Sequence, residues 1–348
     1  MKTANTLLIK EINLNLVRKQ LLSLRAATKQ QLAKLTGLSL MTVSSIISEL
    51  IDNGEVAEGN SIPSNGGRPS AEYCYNGEFN HAVVFLGYQR NNHNFIRMRV
   101  INMFGDCVYS EEKYLDTVFC DSFDDMLDRA FALFAKISII GFGLPGEEEN
   151  GIVTINDYPR LVGNEFMKHC IDVYNVPVLF ENDVNAAVLG YYRDNYKNQP
   201  LGEALAGLYF PRLYYPGMGL IIGGEIHYGK QNFVGEFGRL PIGIEWDHLD
   251  YSNKAVIYDS ISRLLSIVIC TIAPEKLVLY GDFFSDEDAA HIKASTESLL
   301  QGSFIVDLEV KSNFEADYEY GLTSLILDRQ YDNLFGKFTG VSCIHMLI

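Results

Sequence analysis

The sequence lacks the residue clusters that metal centres and disulfide-stabilised folds require. Its six cysteines lie far apart, with no CxxC pair and no tight Cys/His cluster, whereas zinc sites and small secreted scaffolds need closely spaced ligands or paired cysteines. No apolar run reaches the roughly 18 residues of a membrane span, and the N-terminus has no signal-peptide apolar region. The sequence therefore predicts a chain of the reducing cytoplasm, with no metal and no membrane segment.

Basic residues are also scarce, since 28 Lys and Arg oppose 44 Asp and Glu and leave a net charge of −16. Such an excess of acid argues against nucleic acid as a partner, because DNA binding relies on neutralising phosphates. The distribution of charge along the chain removes this argument against DNA. Residues 1–50 hold seven basic and two acidic side chains, a net charge of +5, so the rest of the chain carries −21. We expect the N-terminal end to face DNA and the acidic body to lie away from it.

Hydrophobic residues make up 47% of the 348 residues and charged residues 21%, which is typical of folded globular proteins. A chain this long exceeds one ordinary core, and two or three folding units are expected. Near residue 80 a helical pattern changes to alternating strands and helices. We therefore predict an N-terminal domain over residues 1–78 and a larger α/β domain over residues 79–348.

Apolar periodicity and capping residues predict three helices and a hairpin in the N-terminal domain. A first helix is expected over 14–24, and a capping box that begins at Thr28 predicts a second, short one. Ser39 is a good N-cap for a third helix with a continuous apolar stripe. Strands over 55–58 and 71–75 enclose a loop rich in Gly, Asn, Ser and Pro. This order predicts a winged helix-turn-helix.

The third helix carries small or flexible side chains opposite its apolar stripe, and these allow close approach to base edges and phosphates. The predicted DNA contacts on this helix are Met41, Thr42, Ser44, Ser45 and Ser48. A short surface helix with a solvated serine face has the same pattern, and that alternative stays open. Arg68, in a Gly-Arg-Pro turn at the expected wing, is placed to enter the minor groove. A turn that makes no DNA contact has the same sequence, and that alternative stays open.

The string Glu181-Asn-Asp183 is the most informative part of the larger domain. Asp183 stands where a predicted strand passes into a helix, and there the free N–H groups and the helix dipole favour a carboxylate. A carboxylate so placed can accept a hydrogen bond from a ligand hydroxyl or remove its proton during phosphoryl transfer. The alternative role is that of a helix N-cap.

Together these motifs resemble ROK-family repressors of the NagC/XylR type, over nearly the whole chain. The matching strings in the DNA-binding region are Leu32-Ala-Lys-Leu-Thr-Gly-Leu-Ser39, Thr42-Val-Ser44 and Gly67-Arg-Pro69. Those in the body follow in the family's order and are Leu144-Pro-Gly146, Pro177-Val-Leu-Phe-Glu-Asn-Asp-Val-Asn-Ala-Ala187, Gly235-Glu-Phe-Gly238 and Ala273-Pro-Glu275.

The resemblance implies a two-lobed, actin-like ATPase (sugar-kinase-like) α/β fold after the winged helix-turn-helix, with lobes over roughly 79–190 and 191–348. It also implies a sugar held between the lobes. By position, the effector-binding residues are Asn182, Asp183 and Glu236, and Asn164 in a preceding loop is a further candidate. Buried amide and carboxylate groups of this kind pair well with sugar hydroxyls.

The chain departs from the family's kinases at both phosphate loops. Where they carry Asp-x-Gly-x-Thr, this chain reads Phe85-Leu-Gly-Tyr-Gln-Arg-Asn91, without an acid or a glycine pair. The second loop reads Tyr214-Tyr-Pro-Gly-Met-Gly219, with bulky side chains where bare N–H groups would meet a nucleotide. We therefore expect neither ATP binding nor catalysis, with Asp183 as a vestigial base.

Arg239 replaces the histidine that binds zinc and touches sugar in the family, and residues 241–253 contain no cysteine. A zinc site is therefore not expected. The guanidinium of Arg239 suits an anionic ligand such as a sugar acid or sugar phosphate. An ion pair with Glu236 is an equally good interpretation.

These observations predict a homodimeric repressor that binds a pseudo-palindromic operator in double-stranded DNA and responds to a sugar or sugar derivative. Two other functions stay open. One is an active sugar kinase with an added DNA-binding domain, which Asp183 favours and both phosphate loops oppose. The other is a regulator whose body serves only dimerisation or protein interaction.

Overall fold

The computed structural model describes residues 2–62, 70–90, 93–149, 151–163, 165–197, 199–212, 214–303 and 307–336. The N-terminal part contains both helices and strands. They are α1 (Lys2–Leu24), β1 (Ala26–Thr28), α2 (Lys29–Thr36), α3 (Leu40–Asp52), β2 (Val56–Ile62) and β3 (Ser70–Tyr75). The strands pair antiparallel in the order β1-β3-β2, so the predicted hairpin is joined by a strand that the sequence pattern did not indicate.

Capping residues set the ends of α2 and α3, as predicted. Thr28 Oγ1 accepts a hydrogen bond from Gln31 N at 3.2 Å, and Gln31 Oε1 accepts one from Thr28 N at 2.8 Å. Gly37, with a φ of 73°, ends α2 in the left-handed conformation that glycine adopts easily. Ser39 Oγ accepts from Thr42 N at 3.1 Å and begins α3. Between the two helices the axis turns by 115°.

The core of this part contains apolar side chains from all three helices. Leu21, Leu32 and Ile47 are fully buried. Ile51, which the apolar pattern assigned to the core, is 38% exposed because it lies on the last turn of α3. Helix α1 also begins well before residue 14, the predicted start. The apolar side chains that the structure describes before residue 14 are exposed, so a buried apolar stripe did not indicate this segment.

Two five-stranded sheets form the body. The first contains β4 (His81–Arg90), β5 (His93–Ile101), β6 (Cys107–Leu115), β7 (Ile137–Leu144) and β10 (Val178–Asn182), with a hairpin of β8 (Gly146–Glu149) and β9 (Ile152–Asn156) beyond β7. The second contains β11 (Ala204–Tyr209), β12 (Gly217–Ile222), β13 (Glu225–Ile226), β14 (Lys276–Tyr280) and β15 (Leu308–Lys311). The strand orders are β10-β7-β4-β5-β6 and β13-β12-β11-β14-β15. In each sheet three consecutive strands pair antiparallel, and two further strands extend one edge through parallel pairing. The body therefore has two α/β lobes of the same topology.

Helices cover both sheets. They are α4 (Asp124–Leu133), α5 (Phe166–Tyr174), α6 (Asp183–Asn195), α7 (Lys254–Ile272), α8 (Asp286–Leu299) and α9 (Phe314–Phe335). Helices α6 and α9 pack directly on each other. A Cβ added at Gly190 would overlap the carbonyl oxygen of Asp317, and one added at Gly321 would overlap that of Ala186. Only glycine allows this close approach. Helix α9 also packs on the first sheet, where the side chain of Ile326 lies against the backbone of β7.

Helix α7 is long and apolar enough, with a mean hydropathy of 1.7, to match a membrane span by composition. Its side chains Ile261, Leu264 and Leu265 are instead fully buried in the core of the second lobe. Asp259 and Arg263 interrupt its apolar sequence, so it is not a continuous apolar run. This is the position of a core helix.

Candidate functional site

The corner where β10 passes into α6 is capped by Asn182. Its Oδ1 accepts hydrogen bonds from Val184 N at 2.9 Å and Asn185 N at 3.0 Å. Its Nδ2 donates to the carbonyl oxygen of Gly146 at 3.1 Å. The N-cap is therefore Asn182 and not Asp183, which was the alternative role considered for the aspartate. The carboxyl group of Asp183 lies in the first turn, is 9% exposed, and accepts from Val184 N at 2.9 Å.

Three buried carboxyl groups surround this corner: Glu147 on β8, Glu181 on β10, and Asp183. Burial raises the pKa of Glu147 to about 9 and the pKa values of Glu181 and Asp183 to about 7. Nearby carboxylates add to this, since Glu181 raises the pKa of Glu147 further and Asp157 raises that of Asp183. Groups that hold protons near neutral pH can donate hydrogen bonds to a ligand as well as accept them.

Glu236 belongs to the same group of charges, because it raises the pKa values of two of these acids. It precedes the short 3-10 turn Phe237–Arg239 and follows Gly235. A Cβ at Gly235, whose φ is 95°, would overlap the carbonyl oxygen of Met218, so only glycine lets this loop approach β12 so closely. The structure thus brings Glu236 within electrostatic range of Asp183.

Hydrogen bonds cross between the lobes beside these acids. The hydroxyl of Tyr228, which follows β13, donates to Glu181 Oε2 at 2.7 Å. Asn232 Nδ2 donates to the carbonyl oxygen of Glu148 at 2.8 Å. Glu181 Oε1 also accepts from Asn185 Nδ2 at 3.2 Å. Opening or closing the lobes therefore changes the partners of a buried carboxyl group.

Tyrosine side chains fill the space around the end of β4, where the family's kinases carry their first phosphate loop. Tyr88, Tyr158 and Tyr318 are buried, and the rings of Tyr88 and Tyr318 meet edge to face with centroids 5.4 Å apart. The Tyr318 hydroxyl donates to the carbonyl oxygen of Gly143 and accepts from Gly87 N. A backbone donor on this strand is thus already used by a side chain.

The second phosphate-loop segment, residues 214–219, leads into β12. Tyr215 is exposed there, and its side chain lies over Gly238, where an added Cβ would come within 2.7 Å of the ring. The loop therefore rests on the turn that follows Glu236.

Some predicted site residues cannot be placed. Arg68 and Asn164 lie outside the described residues. Arg239 ends the turn that follows Glu236, but only its backbone is described. Within the described part of the chain, no group of three or more His, Cys, Asp or Glu side chains is arranged to hold a metal ion.

Helix α3 presents its predicted DNA contacts on the side away from the core. They are the exposed Met41, Ser45 and Ser48 and the half-buried Thr42 and Ser44. Met41 is 84% exposed. Thr42 Oγ1 lies 2.9 Å from Ser39 Oγ, so the cap uses part of its hydrogen-bonding capacity. The remainder of this face is available to a partner.

Sequence reasoning missed several residues of the cleft. Glu181 was part of the quoted string but received no role, and Glu147, Asp157 and Tyr228 were not considered. Glu147 lies directly after the Leu144-Pro-Gly146 string and Tyr228 before the Gly235 string. A search for acids inside or next to the matched strings would have found Glu181 and Glu147.

Comparison with known proteins gives relatives for nearly the whole chain. No family model matches. A putative xylose repressor of Caldicellulosiruptor sp. (strain Rt8B.4) is 27% identical over 316 residues, covering 86% of this chain and 76% of the relative. The xylose repressor of Caldicellulosiruptor bescii is 27% identical over 294 residues, covering 80% of this chain and 69% of the relative.

Solved structures share the fold. A ROK-family transcriptional regulator, described as a homologue of the E. coli MLC protein, has a TM-score of 0.62 at 17% identity and covers 94% of this chain and 98% of its own. The ROK hexokinase of Thermus thermophilus has a TM-score of 0.52 at 15% identity and covers 70% of this chain and 97% of its own. At these identities the likeness shows the two-lobed fold alone.

Proposed function

Since this chain is a ROK-family regulator, we propose that it is a DNA-binding transcriptional repressor controlled by a sugar or sugar derivative bound between its two lobes. The observation that carries the proposal is the extent of the match: relatives named as xylose repressors align with 86% and 80% of the chain, too much for the body alone. The proposal therefore assigns a function to both parts of the chain.

The N-terminal part is proposed to be a winged helix-turn-helix with α3 as its recognition helix. Support comes from the turn between α2 and α3, from the polar outer face of α3 and from the basic charge of residues 1–50. Exposed Lys34 at the end of α2 is available to phosphate. Arg68 is proposed to contact the minor groove at the wing.

The effector is proposed to be a neutral sugar that contacts Asn182, Asp183 and Glu236. Asp157, whose pKa is about 6, adds negative charge beside Asp183 near neutral pH. An anionic ligand there would be repelled, because like charges about 4 Å apart repel by about 4 kcal/mol at an effective dielectric of 20. This argues against the sugar acid or sugar phosphate that Arg239 suggested. Hydroxyl groups instead pair with both protonated and ionised carboxyl groups.

The cleft is proposed to bind without catalysis. Buried tyrosine rings stand around the first phosphate-loop position, and the hydroxyl of Tyr318 occupies Gly87 N. Nucleotide phosphates need such backbone donors free. Zinc is likewise not part of the proposal, since Arg239 stands where the family has a histidine.

Helix α9 is proposed to connect the cleft with the DNA-binding part. Near the cleft, Tyr318 contacts β4 and β7. At the other end, the carbonyl oxygen of Phe335 accepts from Asn15 Nδ2 at 2.8 Å, and the guanidinium of Arg18 lies 4.5 Å from the Phe335 ring. A sugar that binds better to one arrangement of the lobes would shift α9. In a homodimer this shift would change the distance between the two DNA-binding parts.

The test is DNA binding by the full chain. We expect low-salt fluorescence anisotropy to detect a duplex selected by the protein from a random pool, and D-xylose to weaken that binding at least tenfold. The effect of D-xylose should disappear in Asp183→Asn, while affinity without sugar is kept. A selected duplex whose affinity no neutral sugar changes would contradict the effector proposal, and failure to select any duplex would contradict the repressor proposal.

A second candidate function is an active sugar kinase, which one observation favours: the pKa of Asp183, about 7, suits a general base. Incubation with labelled ATP and a panel of sugars separates the two functions. Turnover that is abolished by Asp183→Asn would support the kinase. No turnover with any sugar is expected if the chain only binds.

A further inference from the structure

A cavity lies where the N-terminal part meets the body, at the opposite end of α6 from Asp183. Its volume is about 390 Å³, within the usual range for small-molecule sites. Ser23 and Arg25 line it from the end of α1 and the residues after it. The turn between β5 and β6, the end of α6 and the middle of α9 supply the other walls. A molecule bound here would therefore contact both parts of the chain at once.

The α9 wall contains a buried polar group without a partner. Thr323 is 8% exposed, and its Oγ1 has no hydrogen bond to any described residue. Directly behind the wall, Arg193 donates to Ser324 Oγ at 2.5 Å and to Asp328 Oδ2 at 2.9 Å, both lining residues. Its Nε is also buried without a partner among the described residues. Buried polar groups of this kind are normally paired, and a ligand or a water molecule in the cavity would satisfy the Thr323 hydroxyl.

The lining does not favour a charged ligand. Lys197 and Asp194 stand on the same rim, and Asp328 is neutralised by Arg193 at 2.9 Å. Arg25 is already held by Asp106, with nitrogen to oxygen distances of 2.7 and 2.8 Å. A molecule with many hydroxyl groups suits this balance, because each hydroxyl both donates and accepts hydrogen bonds.

Apolar side chains complete the cavity, and they come from both parts of the chain. Leu22 lies on α1, Leu327 on α9 and Phe104 in the turn between β5 and β6. Carbon-bound hydrogens of a sugar ring pack well on surfaces of this kind, which usually dominate the lining of small-molecule sites. The size, charge balance and apolar lining of the cavity thus all favour a neutral molecule with many hydroxyl groups.

The position of Arg25 indicates what occupancy would do. Arg25 adopts a φ of 62°, rare for a residue other than glycine, and its guanidinium lies 4.6 Å from the Phe104 ring. Arg25 therefore holds the residues that follow α1 against the body at the edge of the cavity. We propose that this cavity is a second effector site, which binds a small neutral polyhydroxyl molecule and fixes the orientation of the N-terminal part on the body.

The test is isothermal titration of the full chain with D-xylose, D-glucose and glycerol, and with glucose 6-phosphate as the charged comparison. Ser23→Trp fills the cavity, and Ser23→Ala is the matched control. Thr323→Val removes the unpartnered hydroxyl at nearly constant volume. We expect at least one neutral probe to bind at this site, with at least tenfold weaker binding in Ser23→Trp and Thr323→Val, unchanged binding in Ser23→Ala, and no binding of glucose 6-phosphate.

Asp183→Asn separates this site from the interlobe cleft, on whose proposed function it does not depend. Binding that is lost in Ser23→Trp but retained in Asp183→Asn supports the second site. Isotherms that are the same in Ser23→Trp and Ser23→Ala for every neutral probe overturn it, whatever happens at the cleft. Circular dichroism of each variant confirms that loss of binding is not loss of folding.

Discussion

The N-terminal part and the body hold their charges in different ways. In the N-terminal part, exposed basic side chains such as Lys34 surround an apolar core, and the buried carboxylate of Glu55 is paired with Arg18 at 2.6 Å. In the body, Glu147, Glu181 and Asp183 are buried around the corner between β10 and α6, where burial works against their ionisation. Buried acids of this kind lower stability and are retained where a ligand uses them. The comparison indicates that the first part is built for contact with a large charged surface and the second for enclosing a small molecule.

The largest loss of stability is expected where α6 and α9 pack closely against each other. Gly190→Val would force α6 away from α9, and we expect a loss of more than about 4 kcal/mol in the free energy of unfolding, measured with urea. Gly202→Val is the control, because its added Cβ would come no nearer than 3.9 Å to its closest neighbour, the side chain of Glu275. A Gly190→Val protein as stable as the wild type would show that the helices do not depend on this contact.

A somewhat smaller loss is expected in the N-terminal core. Ile47→Ala removes a fully buried side chain and should cost about 2–5 kcal/mol, with loss of DNA binding. Ile51→Ala, four residues on and 38% exposed, should cost clearly less. Thermal and urea unfolding of both variants measure the difference. Equal losses of unfolding free energy in the two variants would contradict the structure, in which Ile47 is buried and Ile51 is partly exposed.

The buried acids should make stability depend on pH. Asp183 titrates at about 7 in the folded chain and near 3.8 when unfolded, so between these pH values the folded state holds a proton that the unfolded state has lost. Stability therefore falls as pH rises from about 4 to about 7, by at most about 4 kcal/mol for this group. Asp183→Asn should reduce the difference between urea unfolding at pH 5 and pH 8. Asp52→Asn, exposed at the end of α3, should leave it unchanged.

The smallest change in stability is expected on the outer face of α3. Met41→Ala should alter the free energy of unfolding by less than about 0.5 kcal/mol, because the side chain is 84% exposed. The same substitution should weaken binding of the selected duplex severalfold. Leu299→Ala, exposed on the body, is the matched control for loss of an exposed apolar side chain. Equal affinity of both variants would exclude Met41 from the DNA contact.

The parts of the fold that depend on neighbouring residues were predictable. Thr28, Gly37 and Ser39 cap their helices through bonds to residues at most four positions away, so sequence alone was sufficient. The start of α1 was not predictable from apolar periodicity, because residues 7–12 of this helix are exposed. The strand β1 was missed for another reason: it exists through pairing with β3, which lies far along the chain.

The cleft was predictable only where a matched string marked it. Asn182, Asp183 and Glu236 lie in such strings, and the structure brings the two acids together. Asp157 reaches Asp183 through the hairpin of β8 and β9, and Tyr228 reaches Glu181 across the lobes. No local pattern encodes these approaches, because they depend on how the two sheets fold around α6.

The tyrosines around the end of β4 bear on how this chain can evolve. A phosphate loop at this position would require removing Tyr88, Tyr158 and Tyr318, which come from three separate segments and pack in the interior. Truncating a large buried aromatic side chain costs about 3–5 kcal/mol, a large share of a typical domain's total stability. Each intermediate with one ring removed would be poorly folded and still unable to hold a nucleotide. A phosphate loop could therefore arise at this position only through several substitutions at once.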